Sequence, residues 1–162
     1  MLIAFTHAYK AFLPEIAIYR QYFEQYEIET VEVSTDQIGS LQPDVEWRFM
    51  GTQFKKNKAP VLIHEYASAS LPPGRKAKDF IKSKFNTRPD FRLFLNKYVL
   101  EQFSFHDGVQ FGFRDMGIQA RTVPTGKKVY DFIYAGSVSR DMQIEKLLDC
   151  FTRPGLKGRS LL

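Results

Sequence analysis

The pair His64-Glu65 closes the most apolar run of the chain, Pro60-Val-Leu-Ile. A titratable pair at the end of a buried strand can serve as a general base, donate a hydrogen bond to a substrate hydroxyl, or line a sugar pocket. Position 68 is Ser, so the pair is not part of His-Glu-x-x-His, and a zinc protease is excluded. A second group is His7, Tyr9 and Lys10, in the loop after the first apolar run, where it could contact an acceptor or a diphosphate. A third is Gly136-Ser-Val-Ser-Arg140, with two hydroxyls, a basic side chain and backbone N–H groups that could hold a phosphate. It contains one Gly, so it is neither Gly-x-Gly-x-x-Gly nor a P-loop. His106-Asp107 precedes Gly108 and reads as a turn, and Cys150 reads as a buried structural thiol.

These residues need a scaffold, and the hydrophobic pattern supplies one. Leu2–Phe5 reads as a first buried strand. Pro14 suits the first position of a helix over 14–26, with Ile16, Tyr19, Phe23 and Tyr26 at helical spacing. Glu15 falls in the first turn of that helix, where its dipole favours a carboxylate. Thr30–Val33 and Val45–Met50 alternate as strands do. Pro60–His64 is the next strand, Lys76–Phe85 a helix, and Phe91–Leu95 a strand. Asn96 is placed to cap a short helix through Phe103. Val109–Phe113 is a further strand. Tyr130–Ala135, the Gly136 turn and the segment 140–151 read as strand, turn and amphipathic helix. This order predicts an α/β, Rossmann-like fold with a mostly parallel sheet and helices on both faces. Ligands in such sheets bind beyond the carboxyl ends of the strands. That rule selects the loops at 6–13, 64–70, Asn96, 114–117 and 136–140.

The chain has 162 residues, 15% of them aromatic, and a single cysteine, which excludes an internal disulfide and a zinc cluster. The longest apolar runs fall well short of a membrane span, and the N-terminus has no basic region ahead of its apolar residues, so a cytoplasmic protein is expected. The net charge of +5 is uneven. Residues 1–52 hold 3 Lys/Arg and 8 Asp/Glu, residues 53–92 hold 10 and 3, and residues 93–162 hold 10 and 7. The basic middle, with Lys76-Ala-Lys-Asp-Phe-Ile-Lys-Ser-Lys-Phe85 at its heart, could meet anionic lipid head groups or phosphates. The acidic first third and the lack of a nucleic-acid motif argue against a nucleic-acid partner.

Taken in order, the landmarks resemble the GT-B glycosyltransferases of group 1, which are retaining, nucleotide-sugar-dependent enzymes. Leu13-Pro-Glu-Ile-Ala-Ile-Tyr looks like the acceptor-side helix. Ile63-His64-Glu65 looks like the strand-end His-Asp or His-Thr, and Phe91–Asn96 like the strand whose polar end opens a short helix. Val109–Gly117 looks like the strand ending in Pro-Asn-Gly, and Tyr130–Ser137 like the first strand of the donor domain. The resemblance implies an acceptor-binding domain over 1–124, and a linker with the first strand and helix of a donor-binding domain over 125–162. It implies that the chain stops inside the donor domain and is inactive alone. His64 is then expected beside the transferred sugar as the catalytic residue. His7, Tyr9, Lys10, Glu65, Asn96 and Arg114 are expected at the substrate, and Gly136, Ser137 and Arg140 at the donor phosphates.

The implied activity is transfer of a sugar from a nucleotide sugar to a glycan or lipid-linked acceptor, in surface-polysaccharide assembly at the inner face of the membrane, with no metal. Three features depart from the family pattern. The tandem Gly of the first loop is Tyr9-Lys10-Ala11-Phe12. The Gly-Arg after the donor strand is Gly136-Ser137, which leaves Arg140 to serve the phosphate. The Glu-x7-Glu motif lies beyond the last residue. A truncated donor domain would also expose an edge through which copies could dimerise. The alternative is a non-catalytic, flavodoxin-like binding or regulatory domain, in which Phe132–Ala135 pairs with Leu2–Phe5 or Val109–Phe113 to complete one sheet.

Overall fold

The computed structural model of the protein describes residues 1–9, 13–51, 53–56, 58–70, 73–114, 129–134, 144–156 and 158–160. The chain divides into two compact units, Met1–Ala120 and Arg121–Leu162. The first is an α/β unit. Its strands are β1 (Leu2–His7), β2 (Glu29–Ser34), β3 (Val45–Phe49), β4 (Val61–Tyr66), β5 (Phe91–Phe94) and β6 (Gln110–Phe113), and its helices are α1 (Pro14–Glu24), α2 (Arg75–Phe85) and α3 (Lys97–Glu101). The six strands form one sheet in the order β2-β1-β3-β4-β5-β6, and every neighbouring pair is parallel. The expected Rossmann-like α/β architecture is therefore present. The order reverses once, between β1 and β3, and it is outside the carboxyl ends of the strands at such a reversal that open α/β sheets take ligands.

Each face has its own aromatic core. On one face Ile3 and Phe5 of β1 and Ile16 of α1 are buried, with Tyr19, Phe23, Trp47 and Phe49 packed against them. On the other, Tyr66, Phe94, Val99 and Phe103 form a cluster, with the Tyr66 and Phe94 rings stacked 5.2 Å apart. Burial of such side chains is the dominant favourable term in folding.

Two elements end differently from the sequence pattern. The first helix stops at Glu24, not Tyr26, because Glu27 takes φ +55° and the chain closes back through Ile28 N–H donating to Phe23 O at 3.2 Å. Tyr26 is left exposed. The fourth strand runs on through Tyr66, so His64 and Glu65 lie inside it rather than beyond it.

The alternation of β3 hides a buried polar face. Glu46 and Arg48 are both buried, and Arg48 holds Glu46 through Nε–Oε1 at 2.7 Å and an η nitrogen to Oε2 at 3.1 Å. The second η nitrogen of Arg48 donates to the carbonyl of Lys55 at 2.9 Å. The connector after β3 therefore covers this face of the sheet and satisfies the arginine that it covers.

The second unit contains α4 (Ile144–Cys150). Phe132 N–H donates to Ser160 O at 3.0 Å, and the Asp131 carboxylate accepts from the backbone and hydroxyl of Ser160 and from Arg159. Phe132 and Phe151 pack edge to face at 5.5 Å. Among the described residues the strands of the six-stranded sheet all lie between Leu2 and Phe113.

Candidate functional site

Glu65 is the penultimate residue of β4, Arg114 directly follows β6, and Glu15 is the second residue of α1. All three belong to the carboxyl-end side of the sheet, where connections leave the strands. Arg114 N–H donates to Phe94 O at 2.9 Å, which fixes its backbone at the mouth of β5. Its guanidinium lies 2.6 Å from Glu65 Oε1 and 2.9 Å from Glu15 Oε1. The other oxygen of Glu65 accepts from Trp47 Nε1 at 2.9 Å and from the Tyr19 hydroxyl at 3.2 Å. One arginine thus joins two carboxylates, and an indole and a phenol complete the shell of the buried one.

The electrostatics follow from burial. Burial pushes the Glu65 carboxyl upward, and the Arg114 charge and the Trp47 hydrogen bond pull it back only in part. Burial also pushes the Tyr19 hydroxyl up, with the Glu65 charge adding to it, so this phenol stays a donor. Burial works against the charge of Arg114, but Glu65, Tyr19 and Glu15 outweigh it and its pKa is raised. Such a cluster holds a cation firmly, fastens α1 to β4 and to the end of β6, and fixes the floor of the rim above it.

His7, the last residue of β1, sits at the strand reversal. Its Nδ1 accepts from Tyr9 N–H at 3.3 Å, so Nε2 carries the proton toward Glu32 Oε2, also at 3.3 Å. The His7 and Tyr9 rings are 4.1 Å apart, and Tyr9 takes φ +51°, a conformation costly for a bulky side chain. The Tyr9 ring is exposed.

Comparison with protein-family models, with curated proteins and with solved structures finds no match to this chain. The site is therefore read from its own geometry.

His64 does not reach this rim. Successive strand residues point to opposite faces, so His64 lies across the sheet from Glu65. It is fully buried in a row with Thr6, Arg48 and Arg92 on adjacent strands. Nδ1 is 3.5 Å from the Tyr66 hydroxyl, and Nε2 is buried with no hydrogen-bond partner among the described residues. Burial and the charges of Arg48 and Arg92 push its pKa down to about 3, so the ring is neutral. Asn96 caps α3, accepting from Val99 N–H at 2.9 Å, and that duty occupies its side chain. Lys10, Gly136, Ser137 and Arg140 lie outside the described residues.

The structure thus unites Glu65 with Arg114, and His7 with Tyr9. Glu15, Tyr19 and Trp47 were missed by the sequence reading. A signal for two of them exists: Glu15 and Tyr19 stand four apart on α1, on the side that buries Ile16. Period 2 also requires Glu65 to face that helix if His64 does not.

Proposed function

We propose that the chain is the acceptor-side part of a retaining GT-B-type glycosyltransferase, which moves a sugar from a nucleotide sugar to a glycan or lipid-linked acceptor. The observation that carries the proposal is convergence. An all-parallel sheet with one reversal gathers His7, Tyr9, Glu65 and Arg114 at its carboxyl ends, where such sheets take ligands. These are the positions that the resemblance assigns to substrate. In this reading His7 and the exposed Tyr9 ring meet the acceptor, and the aromatic face suits the apolar face of a sugar. The Glu15–Arg114–Glu65 cluster holds the floor. His64, sealed from solvent, supports the sheet rather than the substrate.

One observation favours a second reading. The order 2-1-3-4-5 within this sheet is the flavodoxin-like order, which takes a ligand at the strand reversal, so a binding module is the second reading. A single experiment separates them. The chain, alone and within its full-length gene product, is incubated with a panel of nucleotide sugars and glycan acceptors, and products are followed by mass spectrometry. The transferase reading expects consumption of one donor, reduced at least about tenfold by His7→Ala, the scale of a lost substrate-positioning contact. If no donor is consumed and none shifts the melting temperature, the binding-module reading replaces it.

A further inference from the structure

The helix α2 is inside out. Its only buried residue is Asp79, which accepts from Ser70 N–H at 3.0 Å and lies 3.9 Å from Arg75. Arg75 in turn reaches the Tyr98 hydroxyl at 3.2 Å and the Gln102 side chain, so the inner face of α2 is tied to the α3 region by polar groups. The apolar residues point away. Phe80 is 57% exposed, Ile81 38% and Phe85 62%. At 3.6 residues per turn, Ala77, Phe80, Ile81, Lys84 and Phe85 share one arc, and Lys76 and Lys78 stand at its two borders. The loop after β3 adds to this surface. Asn86, the residue after Phe85, accepts from Gln53 N–H at 2.8 Å and donates to Gly51 O at 3.1 Å. The clamp places Phe54, which is 61% exposed, and its neighbours Lys55 and Lys56 next to the end of α2.

An ordinary surface helix turns its apolar stripe to the core. Here three large apolar side chains face out beside lysines, and the sole carboxylate of the helix is buried on the opposite side. The charge decides among occupants. A second copy of the chain would set the lysines of one face against those of the other, with Glu101, already paired to Lys97 at 3.8 Å, a carboxylate at the margin beside Lys76 and Phe80. A surface of negative charge with an apolar layer beneath it satisfies both halves of the pattern.

We propose that the outward face of α2, with the Phe54 loop beside it, docks on an anionic lipid surface. Phe80, Ile81 and Phe85 enter the head-group level, and Lys76, Lys78 and Lys84 meet lipid phosphates. This docking depends on no part of the transfer chemistry proposed for the rim, so either can fail without the other.

The test is co-sedimentation of the chain with vesicles of phosphatidylcholine containing about 30% phosphatidylglycerol, against pure phosphatidylcholine, at low salt and at about 0.5 M salt. Binding should require the anionic lipid and weaken with salt. Replacing Lys76, Lys78 and Lys84 by Gln should lower the partition coefficient about 100-fold, at roughly fivefold per lysine. Phe80→Ser with Phe85→Ser should lower it at least about tenfold while leaving the circular dichroism unchanged, because neither ring is packed in the core. Equal binding to neutral vesicles, no binding, or unchanged binding by both variants would overturn the proposal. So would a dimer that the two Phe replacements dissolve in the absence of any lipid binding.

Discussion

Replacing His64 by Leu should remove a large part of the acid sensitivity of the fold. His64 is held at about 3 by burial first and by Arg48 and Arg92 second, while an unfolded histidine titrates near its model value of 6.5. Between those values the unfolded chain binds a proton that the folded chain refuses. Stability is therefore complete above about pH 6.5 and is lost as the pH falls toward 3, by up to 2.303RT, or about 1.4 kcal/mol, per pH unit. Over the whole window the loss is on the order of 5 kcal/mol, comparable with the total stability of many domains.

Glu65 acts in the opposite sense. Its folded pKa is raised, so the folded state takes up a proton first and gains stability as the pH falls through that range. It faces the other side of the sheet, so its contribution cancels when wild type and variant are compared. Urea unfolding at a series of pH values from 7 to 4, followed by circular dichroism and by the single Trp47, would read both slopes. The variant should lie within about 1 kcal/mol of wild type at pH 7, because it gives up only the long 3.5 Å contact of Nδ1 with the Tyr66 hydroxyl, which also meets Asn86 and Arg92. Its stability should then fall less steeply with acid, by close to one proton. Parallel curves for the two proteins would refute the reasoning.

Two further outcomes follow from the buried polar contacts. Arg48→Met alone should cost about 3–5 kcal/mol in chemical denaturation by stranding the Glu46 carboxylate, whereas Glu46→Leu with Arg48→Met should recover most of that loss. Asn96→Ala should destabilise the first unit by about 1 kcal/mol by removing the cap of α3. Asn96→Asp, which keeps an acceptor for Val99 N–H, should cost less.

The fold was readable because its strands are short apolar runs and its helices carry a spacing of three and four. Even the Asn96 cap was visible as a residue type in its place. What escaped the pattern was depth. Alternation in Val45–Phe49 suggests a wet face, yet Glu46 and Arg48 are buried, because their mutual pairing and the Lys55 carbonyl replace water. The end of β4 was also hidden. His-Glu-Tyr reads as a strand exit, but Glu65 finds Arg114 nearly fifty residues later, and no local signal announces a partner so distant. The two-residue extension moves His64 from the rim to the interior. The spacing of the apolar residues of α2 does not say which way they face, and it is the burial of Asp79 that turns them outward.

The position of β1 in the sheet has a consequence for biosynthesis. β1 is an interior strand that leaves the ribosome before both of its neighbours, β2 and β3. Its backbone edges stay open until Ser34 and then Phe49 have emerged, and an open parallel edge with apolar faces is where nascent chains associate wrongly. After that the sheet grows outward in order of synthesis, each new strand from β4 to β6 adding to the edge left by the last. A ribosome that stalls between α1 and β3 would hold the most aggregation-prone form of this chain, and one that stalls after Phe94 would hold a nearly complete sheet.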